Sequence, residues 1–197
     1  MQPGDLSSFA AVVLAGGRAI RLGGFDKATI EVDGRLLLDY ALDAVMDAAE
    51  VVVVGRQAPT ERPVTFVRED PRYGGPVAGL LTGRDHLLRT VPTVAVLAVD
   101  MPRLTFSTFR RLHEAAEGHD GAILVGPDGR RQLAFVVRLE RLDAVDPGPE
   151  GRHDAALHRL LAPLDLAEVP AIGSEWRDVD SWADLRDLAG DRPDPLA

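Results

Sequence analysis

The chain has 197 residues, 46% of them hydrophobic, and a formal net charge of −9. That is enough to bury a substantial core, and the acidic balance without a basic stripe excludes general nucleic-acid binding. The absence of cysteine excludes disulfides, thiolate metal sites and cysteine nucleophiles.

In chain order, residues 1–8 read as a flexible leader with neither a basic n-region nor a long apolar core, so no signal peptide is expected. Ala10–Leu14 is a short apolar strand covered on both faces. The stretch Leu14–Lys27, L-A-G-G-R-A-I-R-L-G-G-F-D-K, is a long loop between strand and helix. Four glycines allow a close backbone approach to a ligand, and Arg18, Arg21 and Lys27 add positive charge. Lys27 is the one lysine of the chain, which suggests a specific demand for a compact ammonium. The spacing fits neither a Walker loop, since Ala28 follows Lys27, nor a dinucleotide fingerprint. A nucleotide-phosphate loop remains.

Ala28–Val32 with Asp33-Gly34 predicts a small extended segment and a turn. Leu38, Leu42, Val45 and Ala49 recur at helical spacing within Leu36–Ala49. Val51–Val54 and Val64–Val67 read as strands. Glu69–Gly79, E-D-P-R-Y-G-G-P-V-A-G, is a second loop that opens a helix, with Pro76 at the first helical position and an end near Arg89. Val94–Val99 is a central strand that finishes on Asp100-Met101-Pro102. Thr105 or Ser107 caps a helix over Phe109–Glu117. Ala122–Val125 and Gln132–Val137 are strands joined by a Pro127-Asp128-Gly129 turn. Asp143–Gly151 is a proline- and glycine-rich loop, His153–Leu161 a helix, Leu166–Val169 a strand, and Ser181–Leu188 a last helix. Residues 191–197 read as a flexible tail. Strands alternating with helices predict one α/β domain over residues 9–190, with a mostly parallel central sheet and helices on both faces.

Ligands bind at the C-terminal strand edge of such sheets. Asp100 at that edge is placed to hold Mg²⁺ against a phosphate. Asp178 and Asp180, two apart in an extended segment, would face one side and could complete an oxygen ligand set. Alternatively, Asp180 caps the following helix. His153 and His158, five apart, read as surface or partly buried residues, and Arg130 and Arg131 as exposed arginines.

The motif L-A-G-G-x-x-x-R-x-G-x-x-D-K, followed in order by E-D-P-R-Y-G-G-P-V-A-G-L, A-V-D-M-P, R-Q-L and D-V-D-S-W-A-D-L, resembles the molybdenum cofactor guanylyltransferases of the nucleotidyltransferase superfamily. The resemblance runs from Ala10 to about Leu188. It implies a Rossmann-like nucleotidyltransferase fold and a cytoplasmic enzyme that moves GMP from GTP to molybdopterin or Mo-molybdopterin with release of pyrophosphate. Carried over by position, Leu14, Ala15, Gly16, Gly17 and Gly79 would bind nucleotide, Lys27 its phosphates and Asp70 the nucleoside. Asp100 would hold Mg²⁺, with Asp180 the second metal candidate on the spacing argument above, and Arg21, Lys27 and Asp100 would be catalytic. Molybdoenzyme maturation proteins would be partners; nucleic acid and membranes would not. Gly17 and the G-P-V-A-G segment resemble the guanylyl branch, whereas Asp178 and Asp180 resemble the cytidylyl branch. A cytidylyltransferase, or a guanylyltransferase for another phosphorylated acceptor, is the alternative.

Overall fold

The computed structural model describes residues 8–16 and 26–190, with the backbone alone at 182 and 188–190. The expected leader, apart from Ser8, and the expected tail lie outside the described residues. Seven strands form one sheet in the order β5-β4-β1-β6-β8-β7-β9. These are β1 (Phe9–Leu14), β4 (Glu50–Val54), β5 (Thr65–Val67), β6 (Thr93–Ala98), β7 (Gly121–Val125), β8 (Arg131–Arg138) and β9 (Leu166–Pro170). A separate two-residue ladder pairs β2 (Glu31–Val32) with β3 (Arg35–Leu36). Its turn places Asp33 and Gly34 at φ 51° and 77°, the backbone signs of a tight two-residue hairpin.

β5, β4, β1 and β6 run parallel, β8 runs antiparallel between β6 and β7, and β9 returns parallel to β7. Alternate residues of the central strands feed two cores. Ala11, Val13, Val53 and Leu97 pack with α1 (Leu37–Ala44) and α3 (Phe106–Ala115) on one face. Val12, Val52, Val96 and Phe135 pack on the other with α2 (Gly75–Asp85), α4 (Leu139–Ala144) and α5 (Leu157–Leu161). Burial on both faces explains why these strands read as continuous apolar runs. From β1 the chain steps outward to β4 and β5, then returns to β6 on the other side of β1. Strand order therefore reverses between β1 and β6, and their C-terminal ends border the crevice where such sheets bind ligands. There Leu14 pairs across with Val54 on one side and Ala98 on the other.

Several helices end sooner than their periodicity predicts, because side chains from elsewhere take over their terminal backbone groups. α1 stops at Ala44, and the Arg62 guanidinium collects the carbonyls of Leu42 and Val45, both at 3.0 Å, and of Ala48 at 2.8 Å. α2 stops at Asp85, not near Arg89; the Glu50 carboxylate holds the N–H groups of Leu88 and Arg89 at 3.0 and 2.9 Å and turns the chain away. Only Leu157–Leu161 of the expected His153–Leu161 helix is helical. Asp154 sits at φ 52° and donates its N–H to the Gly74 carbonyl at 2.8 Å, which pulls that segment onto the α2 N-terminus. Part of the expected Asp143–Gly151 loop is the end of α4 and a short 3-10 turn, Pro149–Gly151. Thr105 caps α3, accepting the Thr108 N–H at 3.3 Å. The last helix, α6, is Trp182–Gly190.

α2 lies unusually close to the sheet because it carries Gly83 at the contact. A Cβ there would meet Val12 Cγ1 at 2.4 Å and Val54 Cγ2 at 3.0 Å, so even one methyl group overfills the space. Gly83→Ala is expected to lower the unfolding free energy by about 2 kcal/mol, measured by denaturant unfolding. An unchanged midpoint would mean that α2 does not sit at this distance.

Candidate active site

The site lies where the loops after β1, β6 and β9 meet. Asp26 closes the first of them locally: its Oδ1 accepts the Ala28 N–H at 3.1 Å and its carbonyl accepts the Thr29 hydroxyl at 3.0 Å. This makes a 3-10 turn over Lys27–Thr29 with Ala28 fully buried. The turn replaces the start of the expected Ala28–Val32 extended segment, of which Glu31–Val32 is extended as β2, and it aims Lys27 across the crevice. Asp100 is held between two buried neighbours, Val99 and Met101. The Val99 N–H donates to the Leu14 carbonyl at 3.0 Å, and the Asp100 carbonyl accepts the Val179 N–H at 2.8 Å. Val179 is buried, so its neighbours Asp178 and Asp180 are turned outward, as the alternation predicts.

Lys27 Nζ donates to Asp100 Oδ2 at 2.6 Å and to Asp180 Oδ1 at 2.7 Å. The Lys27 and Asp100 side chains are only 15% and 18% exposed. Burial works to lower the ammonium pKa, but the charge and hydrogen bonds of Asp100 and Asp180 outweigh it and leave it above its ordinary value. Lys27 is therefore a fixed cation at neutral pH. Asp180 does not cap α6. Ser181 does, its hydroxyl accepting the Asp184 N–H at 3.3 Å while the Asp184 carboxylate takes the Ser181 N–H at 2.7 Å.

A cleft of about 650 Å³ opens from this cluster along the sheet edge. Leu14, Gly16, Val54, Gly79, Ala98 and Asp100 line its inner part. Ala15 reaches this edge by pairing its N–H with the Val54 carbonyl at 2.9 Å. The approach requires Gly55, where a Cβ would stand 3.0 Å from Ala15 Cβ. Further out, Glu69, Arg72, Tyr73, Leu133, His153 and Asp154 contribute to the wall. At the mouth the Arg72 guanidinium lies 5.0 Å from the centre of the Tyr73 ring. Asp70 is exposed, with its N–H and carbonyl tied to the Thr82 hydroxyl at 3.0 and 3.2 Å; the side chain lining the cleft beside it is Glu69.

Of the sequence-derived candidates, Leu14, Ala15, Gly16, Lys27, Gly79, Asp100 and Asp180 thus gather at one edge. Gly17, Arg18 and Arg21 lie outside the described residues. Sequence reasoning missed Glu69 and His153. Glu69 was within the quoted motif, but nothing in its spacing distinguished it from Asp70. His153 is brought in by a clamp: Arg152 bonds Asp146 at 2.6 Å, and Arg84 of α2 pairs with the same carboxylate. Arg130 and Arg131 are salt-bridged to Asp128 and Glu168, and neither lines the cleft.

Asp178 carries the electrostatic cost of this arrangement. Desolvation pushes its carboxyl above the ordinary value of 3.8, and the charges of Asp180 and Asp100 push the same way. A carboxyl whose folded pKa is raised opposes folding once it is ionised, and the opposition disappears below its unfolded pKa. Without nucleotide, Asp178→Asn is expected to melt above the wild type at pH 7, with the gap narrowing as pH falls towards 3.8. Thermal unfolding across that range checks the sign. A lower melting temperature at pH 7 would contradict it.

Residues 11–169 match the family model of the MobA-like NTP transferase domain. A molybdenum cofactor guanylyltransferase of Mesorhizobium japonicum is 35% identical over 136 residues, 65% of each chain. A probable molybdenum cofactor guanylyltransferase of Methanosarcina acetivorans is 28% identical over 196 residues, covering 91% of this chain and 85% of that protein. Among solved structures, molybdopterin-guanine dinucleotide biosynthesis protein A of Archaeoglobus fulgidus shares the fold, with a TM-score of 0.71 at 18% identity over 92% of this chain and 97% of that one. With the Lys27–Asp100–Asp180 cluster at the switch point of its sheet, the chain belongs to the MobA-like NTP transferase domain family and is a nucleotidyltransferase.

Proposed function

We propose that residues 9–190 act as one catalytic domain that transfers GMP from GTP to molybdopterin, or to Mo-molybdopterin, and releases pyrophosphate. The observation that carries this reading is the convergence of Lys27, Asp100 and Asp180 on one end of a nucleotide-sized cleft. It stands in a chain whose curated relatives are named molybdenum cofactor guanylyltransferases.

In the step, an oxygen of the acceptor phosphate attacks the α-phosphorus of GTP. The bond from that phosphorus to the α,β-bridging oxygen breaks, and pyrophosphate leaves with the electron pair. The acceptor phosphate is already ionised at neutral pH, so no side-chain base is needed. The protein's share is alignment and neutralisation of charge. Backbone groups of Leu14, Ala15, Gly16 and Gly17 would follow the nucleotide, with Gly79 giving room and Asp70 at the nucleoside end beside Glu69. Lys27 would meet the phosphates with Arg21. The α2 N-terminus, whose Gly75 and Pro76 line the cleft, adds its partial positive charge.

The donors at the cluster fit Mg²⁺. Among the described residues no group of three or more His, Cys, Asp or Glu side chains is assembled as a metal site. Asp100 and Asp180 nevertheless offer two hard carboxylate oxygens that already share one cation. One or two carboxylates beside phosphate oxygens is the set that Mg²⁺ accepts. Bound there, Mg²⁺ would supply Lewis-acid neutralisation of phosphate charge. Among the described residues no helix is long and apolar enough to cross a membrane. A cytoplasmic enzyme that hands its product to molybdoenzyme maturation proteins fits this reading.

Pyrophosphate release measured with each of four NTPs and Mg²⁺, with and without molybdopterin, tests the proposal. Release is expected to need both GTP and molybdopterin, and Asp100→Ala or Lys27→Ala should reduce it by about 10²-fold or more while the protein stays folded. Near wild-type turnover by either variant would overturn the site. A requirement for CTP would move the enzyme to the cytidylyl reading suggested by the Asp178–Asp180 pair.

A further inference from the structure

Of the two cleft carboxylates that phosphate and metal chemistry leave unused, Asp154 is exposed and paired with His153, which leaves Glu69. Glu69 is half-buried beyond the end of β5. Its Oε1 accepts the Tyr73 N–H at 2.8 Å, which anchors the head group. Among the described residues its Oε2 has no hydrogen-bond partner, and it faces Gly79. A Cβ placed on Gly79 would lie 4.0 Å from this oxygen, 3.3 Å from Leu14 Cδ2 and 3.8 Å from Val54 Cγ1. A methyl group would already touch Leu14, so Gly79 keeps helix side chains off Leu14 and Val54, which lie side by side on adjacent strands as an apolar floor next to the Glu69 carboxylate. An apolar floor suits one face of a flat heterocycle, while a partly desolvated carboxylate calls for hydrogen-bond donors.

The sheet order says which part of a nucleotide reaches this gap. Asp100 follows β6 and Glu69 follows β5, three strand positions away, a separation of roughly 14 Å at the usual strand spacing. The phosphates belong with Lys27 at the β1–β6 end, since the other cation of the cleft, Arg72, lies over the Tyr73 ring at the mouth. A second anion beside them would be repulsive, but the far end of the same cleft is where the base must lie. Among the four bases, only guanine presents two adjacent donors on one edge, N1–H and the N2 amine. Cytosine and adenine set a ring acceptor beside their amine, and uracil flanks its single N–H with carbonyls; each would point a lone pair at the carboxylate.

We propose that Glu69 reads guanine, accepting N1–H and the N2 amine and thereby setting the base specificity of the enzyme. This rests on the guanylyl reading above. Leu14 and Val54 supply an apolar floor for one face of the ring, and Gly79 keeps any side chain of the helix away from it.

Calorimetric binding of GTP, ITP and CTP with Mg²⁺, to the full chain and to Glu69→Gln, tests it. ITP lacks the N2 amine and keeps everything else. The wild type is expected to bind GTP about tenfold or more tighter than ITP. Glu69→Gln can keep the bond to the Tyr73 N–H but turns an amide donor towards the base. It should lose about 10- to 100-fold in GTP affinity and most of its preference for GTP over ITP. Thermal unfolding separates this from a folding defect. A wild type that binds ITP as well as GTP would overturn the proposal without any variant. So would a folded Glu69→Gln that keeps the wild-type GTP-to-ITP ratio. In both cases the guanylyl reading would survive. Preference of the wild type for CTP over GTP would overturn that reading itself, and the role of Glu69 with it.

Discussion

The ammonium of Lys27 ties together three segments that the chain keeps far apart. Its two carboxylate partners are 73 and 153 residues away in sequence, and they stand on the loops that follow β6 and β9. Two aspartates converging at a half-closed sheet edge would repel each other and lose solvation, so the arrangement requires a cation between them. Lys27 supplies it in the ligand-free protein, and the raised ammonium pKa keeps it charged. A triphosphate arriving with a divalent ion would present the same charges in exchange: phosphate oxygens for Lys27, and the ion for the two carboxylates. The cluster is thus pre-organised at little reorganisation cost, the condition under which electrostatic catalysis is most effective.

Everything else in the site depends on how closely the backbone elements approach that edge. Gly55 lets the Ala15 segment lie against the end of β4, and Gly83 lets α2 sink onto Val12 and Val54. Gly79, one turn earlier on α2, then faces the cleft with no side chain of its own. These close approaches bring Leu14, Val54 and Glu69 together at one end of the cleft, which is shaped mainly by what the glycines omit. The outer wall is held differently. Arg152 and Arg84 both grip Asp146, and the Asp154 N–H is bonded to the Gly74 carbonyl. Charged side chains and one backbone bond thus place His153 and Asp154 at the mouth, where an acceptor would enter.

The sequence carried much of this fold because its central strands are buried on both faces and its loops are punctuated by glycine and proline. The Ala10–Leu14, Val51–Val54 and Val94–Val99 runs stood out as strands for that reason. Lys27 and Asp100 stood out because one is the sole lysine and the other ends an apolar strand. Helix ends were less legible. Arg62 and Glu50 act on α1 and α2 from positions remote in sequence, and no local pattern announces them. The Asp178-Val179-Asp180 alternation correctly turned both aspartates outward. Which of them meets Lys27 depends on the three-dimensional path of the loop, and the capping role weighed for Asp180 belongs to Ser181. Glu69 was hidden by its neighbour: the resemblance drew attention to Asp70, while only the packing of α2 shows which carboxylate lines the cleft.

The central claim is that Lys27, Asp100 and Asp180 form the phosphate end of a nucleotide cleft. It is tested most directly by a crystal structure with Mg²⁺ and a non-hydrolysable GTP analogue. The account predicts the triphosphate between the Gly16 segment and Lys27, Mg²⁺ on Asp100, and the base over Leu14 and Val54. A nucleotide bound elsewhere, or one bound here with its base at Asp100 and its phosphates at Glu69, would contradict it.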